Sequence, residues 1–360
     1  MKPQRRFMFD TEKLTGEEAL MEAQKIAFAP IVFQCAHLLR KWGILELLHK
    51  NRRVGLSVDE LSQELNISTY GAHVVCESGY SMGALKYQNE RYYLTKIGYF
   101  LQFDEMTSVN FNFNLDVNYH GIDELEESIK TASPRGLQKY FGKEFETIYP
   151  HLLELPDSAR KSWFEFDHFY SDAAFAKLVQ IVSDMEPTKL LDVGGNTGKW
   201  AVAITRASKQ TEVTILDHKL QLKAAHKRAI ESGVEDRVKG IHMDLLDHSI
   251  EFPKGFDIVW MSQFLDCFGV DDIVSILKRA KRALNNKAKV YIVEPYWDRQ
   301  SVDLGSYALI NTSPYFTALA NGKSKMYSAI QMHECIKESG LTIEHEIDHI
   351  GFGHTLSICS

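Results

Sequence analysis

Residues 189–198, KLLDVGGNTG, constrain the fold of this chain more than any other stretch. Leu190, Leu191 and Val193 read as a buried strand that runs straight into a glycine-rich turn and then a helix. Gly194, Gly195 and Gly198 let the backbone turn tightly and bring peptide N–H groups close to a ligand. Asp192 closes the strand and points into the same turn. A dinucleotide fingerprint requires GxGxxG. Counting from Gly194 puts Asn196 at its second glycine and Lys199 at its third, so that reading fails twice. The pattern that fits is acidic-x-Gly-x-x-x-Gly. Asn196 takes a middle position, where asparagine tolerates a left-handed backbone.

From this turn onward strand and helix alternate. EVTILD, RVKGIHM, FDIVWM and KVYIVE read as strands, with helices over 198–207, 219–232 and 270–284. An irregular piece follows, then a helix over 328–339 and two closing strands, LTIEHEI and HTLSIC. Repeated βα units predict a doubly wound α/β sheet that binds ligands at the carboxyl ends of its strands. Only a short turn at 351–353 separates the last two strands, so they pair antiparallel, and one strand at the end of the sheet is reversed.

Asp217 ends the second strand, 25 residues after Asp192. That is near the spacing at which doubly wound folds place a ribose-binding acid. The bland alternative is a helix N-cap before Lys219. Asp244 ends the third strand in HMDLLD, where it is placed to face an adenine edge; a loop carboxylate is its alternative. Asp192 sits beneath the opposite end of such a ligand. A buried acid there is expensive without a cation, which points to a cationic ligand.

The first half of the chain is different in kind. Residues 15–50 read as helix, with Ala23, Ile26, Ala27, Phe33, Ala36, Leu39, Leu47 and Leu48 forming a wide apolar surface. A core helix and a subunit interface explain that surface equally well. Residues 56–103 give helix, helix, hairpin: Ser57 and Ser68 open the two helices, two short strands surround 88–90, and Thr95 caps a last helix. This is a winged-helix arrangement, whose usual work is DNA binding through the second helix. Residues 68–82 contain no lysine or arginine to hold phosphates, which favours a dimerising role over a DNA-reading one. Residues 104–180 read as a helical connector dense in aromatic residues. The expected division is therefore 1–105, 106–180 and 181–360.

A net charge of −7 argues against a general affinity for nucleic acid or anionic membrane. The five cysteines are scattered without a CxxC pair, so neither zinc nor a disulfide framework is suggested. No signal peptide or membrane span is visible, and the expected compartment is the cytoplasm.

Taken together, DVGGNTG, ILDH, HMDLL, FDIVWMSQFLDCFGVDD, VYIVEP and GKSKMYSAIQMHECIKESGL resemble the S-adenosylmethionine-dependent small-molecule O-methyltransferases. That family includes plant phenol, hydroxyindole and bacterial polyketide-tailoring enzymes. The resemblance covers about residues 20–360. It implies a class I methyltransferase domain behind an N-terminal winged-helix dimerisation domain, S-adenosyl-L-methionine as cofactor, no metal, and a homodimer. It implies a cofactor site of Asp192, Gly194, Gly195, Asn196, Gly198, Asp217, Asp244, Leu245, Ser262 and Gln263. Phe166, Tyr170, Phe264, Trp297, Tyr315 and Phe316 are the candidates for the pocket of a small aromatic or polyketide-like acceptor.

The proton-handling half of the family signature is altered. Where relatives carry a histidine base after the fourth strand, this chain has Asp266, followed by Cys267. Glu294 in VEP matches a family acid; Ser324 stands where a second acid belongs, and Ser262 where a lysine does. Asp266 and Glu294 are thus the candidate catalytic residues. An aspartate of ordinary pKa, ~3.9, is a poor base unless desolvation raises it. Asp266 as a helix-capping carboxylate is an equal alternative. Two rival functions stay open: a tailoring enzyme that binds the cofactor without transferring methyl, and a ligand-sensing winged-helix transcription factor.

Overall fold

The computed structural model describes residues 13–143, 145–285 and 287–360. Their contacts group them into two units, divided between Asn112 and Phe113. Among the described residues no helix is long and apolar enough to cross a membrane.

The N-terminal unit comprises α1 (Gly16–Ala27), α2 (Ala29–Lys41), α3 (Ile44–Lys50), α4 (Val58–Leu65), α5 (Thr69–Ser81), β1 (Leu85–Gln88), β2 (Arg91–Leu94), α6 (Lys96–Phe103) and α7 (Glu105–Phe113). The helix expected over 15–50 is three helices. Pro30 opens α2, and Gly43, at φ +79°, precedes α3. Ser57 and Glu60 form a capping box on α4, Ser68 caps α5, and Thr95 caps α6. Asn89 and Glu90, both at positive φ, make the two-residue turn that suits the twist of a hairpin. Leu39, Leu45, Leu48, Leu61, Val75 and Leu85 form the core. Both readings of the apolar surface over 15–50 find their residues: Ala36, Leu39 and Leu48 are buried, but α1 buries nothing. Leu20, Met21, Ile26, Phe28 and Ile31 are each more than half exposed.

In the second unit a π-helical turn, Asn114–Asn118, leads to α8 (Leu125–Thr131), α9 (Arg135–Tyr140) and the long α10 (Asp157–Ser183). The alternating region follows the expected order: β3 (Lys189–Val193), α11 (Lys199–Ala207), β4 (Glu212–Asp217), α12 (Lys219–Glu231), β5 (Val238–His242), β6 (Ile258–Ser262), α13 (Val270–Ala283) and β7 (Lys289–Glu294). The stretch 295–327 is not irregular. It holds α14 (Asp303–Tyr315) and a second π-helical turn, Phe316–Ala320. Gly305, Ser306, Thr312, Ser313 and Pro314 are weak helix formers that blur the apolar period, and packing overrides propensity here. The chain closes with α15 (Ala329–Glu338), β8 (Ile343–Ile350) and β9 (His354–Cys359).

The sheet runs β5-β4-β3-β6-β7-β9-β8. Strands β3 to β7 are parallel, and β9 is antiparallel to both neighbours. The last strand is reversed as expected, but it lies between β7 and β8 rather than at the edge. One face of the sheet buries Leu191, Met261 and Ile292 with α13 and α15; the other buries Leu190, Trp260 and Val293 with α10, α11 and α12. Strand order reverses between β3 and β6, and a crevice opens at the carboxyl ends of strands at such a point.

One buried cation shapes this edge. Arg279 of α13, fully buried, donates to the carbonyls of Leu245, Asp247 (3.0 Å) and Ile250 (3.2 Å), and its guanidinium lies 5.0 Å from the Phe252 ring. It thereby folds the loop that follows β5. Hydrogen bonds from a charged donor contribute about 1.5–3 kcal/mol each. Arg279→Ala is therefore expected to lower stability by about 3 kcal/mol or more, read as the urea midpoint, with Arg279→Lys intermediate. An unchanged midpoint in the alanine variant would refute this role.

Candidate active site

The turn after β3 is shaped by what it must clear. Gly194, Asn196 and Gly198 lie at φ +73°, +48° and +73°. A Cβ on Gly194 would overlap the Phe264 ring, and one on Gly195 would lie 2.5 Å from Asp192 Oδ2. The turn is thus pressed between the loop after β6 and the Asp192 carboxyl, and only glycine fits there. Asp217, at the end of β4, accepts hydrogen bonds from the Asn196 N–H (2.8 Å) and the His218 N–H (2.7 Å). It steadies the turn with one oxygen and the start of α12 with the other, and each oxygen keeps a lone pair for a further donor.

Asp192 is 3% exposed, and its Oδ2 has no partner. Burial, and secondarily the nearby Asp217 charge, push its carboxyl up to about 8. An orphaned buried carboxyl against a glycine turn suits a ligand that brings positive charge. Asp217 beside it suits one that brings hydroxyl donors. Asp244 lies at the same edge after β5, exposed, with its Oδ1 turned back to the Leu246 N–H at 3.0 Å. The Leu245 side chain is buried in the core on the α13 face.

Residues after β6 and β7 form the other half. Gln263 is at φ +46° and donates its N–H to the Val293 carbonyl at 2.9 Å. Ser262, at the end of β6, is partly exposed. Glu294 is 1% exposed; its Oε1 accepts the N–H groups of Phe264 (3.0 Å) and Leu265 (2.8 Å), and its Oε2 is unpartnered. Burial and then the Asp266 charge hold its carboxyl well above the ordinary range. Asp266 lies in the 3-10 turn Leu265–Cys267 and is 6% exposed. It does not cap α13, whose N-cap is Gly269 without a side-chain bond. Its hydrogen-bonding neighbour is the Cys267 thiol at 3.5 Å, and burial pushes its carboxyl up to about 6.

Four of the six expected pocket aromatics meet in one layer. Phe166 stacks on Phe113 (4.1 Å) and meets Tyr170 edge-on (5.2 Å); Tyr315 packs on Phe113 and Phe316. Trp163 Nε1 donates to the Tyr315 hydroxyl at 2.7 Å. Phe264 lies instead against Gly194 and Phe268, and Trp297 sits in the turn after β7. Sequence reasoning passed over Asp167, Tyr149 and Asn321. Asp167 shares a face of α10 with Trp163 and Tyr170, four residues before and three after. That lone acid on an aromatic helical face was the available signal. Tyr149 and Asn321 give no such signal, because only folding brings the Asn321 amide to the Tyr149 hydroxyl (3.4 Å), the Cys267 carbonyl (2.8 Å) and the Ser324 hydroxyl (2.7 Å).

Comparison with known proteins decides between the remaining ligand chemistries. Residues 21–92 match the Dimerisation2-like domain and residues 190–287 the methyltransferase domain. The chain is a methyltransferase. It is 25% identical to the L-tyrosine C(3)-methyltransferase of Streptomyces lavendulae over 324 residues, 89% of this chain and 86% of the relative. Its fold is that of the S-adenosylmethionine-dependent methyltransferase SibL, with TM-score 0.70 and 22% identity over 95% of this chain and 99% of the other. The O-methyltransferase NcsB1, solved with S-adenosyl-L-homocysteine and 1,4-dihydroxy-2-naphthoic acid, gives TM-score 0.64 and 16% identity over 92% and 95%. The cofactor of this methyltransferase is S-adenosylmethionine. The orphaned Asp192 oxygen and the close-fitting glycine turn accord with that cation.

The Asp192 shift has a testable sign. Between the unfolded carboxyl's ~3.9 and about 8, the native methyltransferase binds more protons than the unfolded chain, so stability falls as pH rises through that window. Without ligand, Asp192→Asn should therefore gain melting temperature over the wild type, more at pH 8 than at pH 5, and should lose ~10-fold or more in S-adenosylmethionine affinity. Melting curves that shift equally at both pH values would refute the assignment.

Proposed function

We propose that this methyltransferase methylates the hydroxyl oxygen of a small hydroxylated aromatic acceptor. The observation that carries the reading is the contact of Gly194 with Phe264, which joins two chemically distinct sites. On one side lie the glycine turn, Asp192 and Asp217. On the other lies a buried carboxyl, Asp266, close enough in charge to bear on the Tyr315 hydroxyl of the aromatic layer. L-Tyrosine and dihydroxynaphthoic acid, named for the relative and the solved complex, are both hydroxylated aromatics.

In this reading Asp217 accepts the ribose hydroxyls and Asp192 balances the positive charge of the methionine end. Gly194, Gly195, Asn196 and Gly198 shape the seat, with Asp244, Leu245, Ser262 and Gln263 along its rim. When bound, the cofactor supplies an electrophilic methyl group. Asp266 accepts the acceptor's hydroxyl proton, and its raised pKa brings it nearer the range of a general base. Glu294 fixes the backbone of 264–265 and so the direction in which Asp266 is presented. Phe166, Tyr170, Tyr315 and Phe316 exclude water from the acceptor, with Phe264 and Trp297 at the border.

Incubation with methyl-labelled S-adenosylmethionine and a panel of phenols tests this directly. Asp266→Asn is expected to lower turnover about 10²-fold while cofactor affinity stays nearly constant. Asp217→Ala should instead weaken cofactor binding by ~10-fold or more. Cofactor binding without label transfer to any panel member would sink the acceptor class. A second reading, transfer to a ring carbon, is favoured by the C(3) specificity named for the tyrosine relative. An NMR spectrum of the labelled product separates carbon from oxygen attachment.

We also infer that the enzyme is a homodimer through its N-terminal unit. Support comes from the match of 21–92 to a dimerisation domain and from α1, which buries nothing and exposes Ile26 at 77%. Light scattering should give twice the chain mass, and Ile26→Asp should shift it toward the monomer. A monomeric wild type at micromolar concentration would refute the inference.

A further inference from the structure

A carboxyl taken out of water needs a proton or a cation. The carboxyl edge of this sheet encloses more carboxyls than the cofactor answers. Asp192 is met by the cofactor in the reading above. Glu294 gives one oxygen to two backbone N–H groups and leaves Oε2, buried, without a partner. Asp266, 94% buried, has a thiol as its hydrogen-bonding neighbour. Asp167 makes a third. It lies on α10 between Trp163 and Tyr170 with 26% of its side chain exposed, and the surrounding protein, with the Asp266 charge next in weight, lifts its carboxyl to about 7.

The protein provides only part of the compensating charge, from Lys199 without an ion pair to Asp167. His168 Nε2 lies 3.9 Å from Asp167, but burial pushes that imidazole down to about 4 and keeps it neutral. Lys199 of α11 is held at 2.6 Å by Asp172. Among the described residues no lysine or arginine forms an ion pair with Asp167, Asp266 or Glu294, and no three His, Cys, Asp or Glu side chains are placed to hold a metal ion. The surroundings are aromatic. Trp163 and Tyr170 share the α10 face with Asp167, and the Asp167 and Asp266 charges both bear on the Tyr315 hydroxyl that Trp163 supports. Carboxylates set among aromatic faces are the chemistry that receives an organic ammonium ion.

We propose that the acceptor carries a protonated amine and that Asp167 receives it, which leaves Asp266 for the hydroxyl. The proposal rests on the reading of this aromatic region as the acceptor site. It divides the two acids between two functional groups of one molecule. It also selects among hydroxylated aromatics: cationic ones enter, and neutral or acidic ones of the same size are disfavoured by the buried negative charge.

Four probes test the proposal against the enzyme loaded with S-adenosyl-L-homocysteine: tyramine, phenethylamine, 4-propylphenol and propylbenzene. They vary the amine and the hydroxyl independently. Calorimetry is expected to show each amine binding ~10-fold or more tightly than its neutral counterpart. Asp167→Asn should abolish that preference and Asp167→Glu should retain it, with S-adenosyl-L-homocysteine affinity within about twofold in both. If 4-propylphenol binds as tightly as tyramine, or if the amine preference survives Asp167→Asn, the proposal is overturned. If both amines bind equally, and tyramine is not methylated once S-adenosylmethionine replaces S-adenosyl-L-homocysteine, the ammonium site stands and the hydroxyl-acceptor reading fails. Binding of none of the four overturns both.

Discussion

The second unit is organised by a shortage of room at one point, where the backbone of Gly194 meets the ring of Phe264. That contact fixes the separation of the turn after β3 from the loop after β6, across the reversal of strand order. Everything chemical lies to either side of it. Glu294 reinforces the contact from below by holding the N–H groups of Phe264 and Leu265, so three strand ends are tied into one edge. A side chain at 194 would drive the two loops apart. The glycines here serve close approach as much as turning.

Electrostatics at this edge is deliberately unfinished. Asp192 and Glu294 each carry a buried oxygen without a protein partner, and Asp266 has only a weak one. Such groups cost free energy in the isolated protein and are expected where a ligand completes the set. The arrangement resembles two locks in series. In the proposed function the first answers a sulfonium-bearing nucleoside and the second answers the acceptor. In the proposed function an aspartate, Asp266, stands at the reacting end where the resembled family places a histidine, and a group that is neutral or negative replaces one that is neutral or positive.

Much of this was legible in the chain itself. The βα alternation, the glycine turn and Asp217 follow from period and spacing, because a buried parallel strand and a tight turn each allow few residue types. Ser57, Ser68 and Thr95 were legible as caps for the same reason. The stretch 295–327 was not, since Gly305 and Pro314 mask a helix that packing alone sustains. Nor was the place of β9, because a short turn dictates antiparallel pairing but not which neighbour the second strand also joins. Asp167 escaped notice because its place in the proposal comes from the charge of Asp266, a residue 99 positions later that folding brings within electrostatic reach.

The position of β9 has a consequence for how the molecule assembles. Strand β8 pairs only with β9, and β7 pairs on one side with β9. During synthesis β3 to β7 can zip together as each βα unit emerges, but β8 leaves the ribosome with nothing to pair against. Its eight residues must wait until His354–Cys359 arrive to slot between it and β7. Until then β7, whose last residue is Glu294, presents an open apolar edge. The strand whose end bears Glu294 is therefore the last to gain its second neighbour, and a partly made chain offers strand-hungry surface to chaperones and to its own copies.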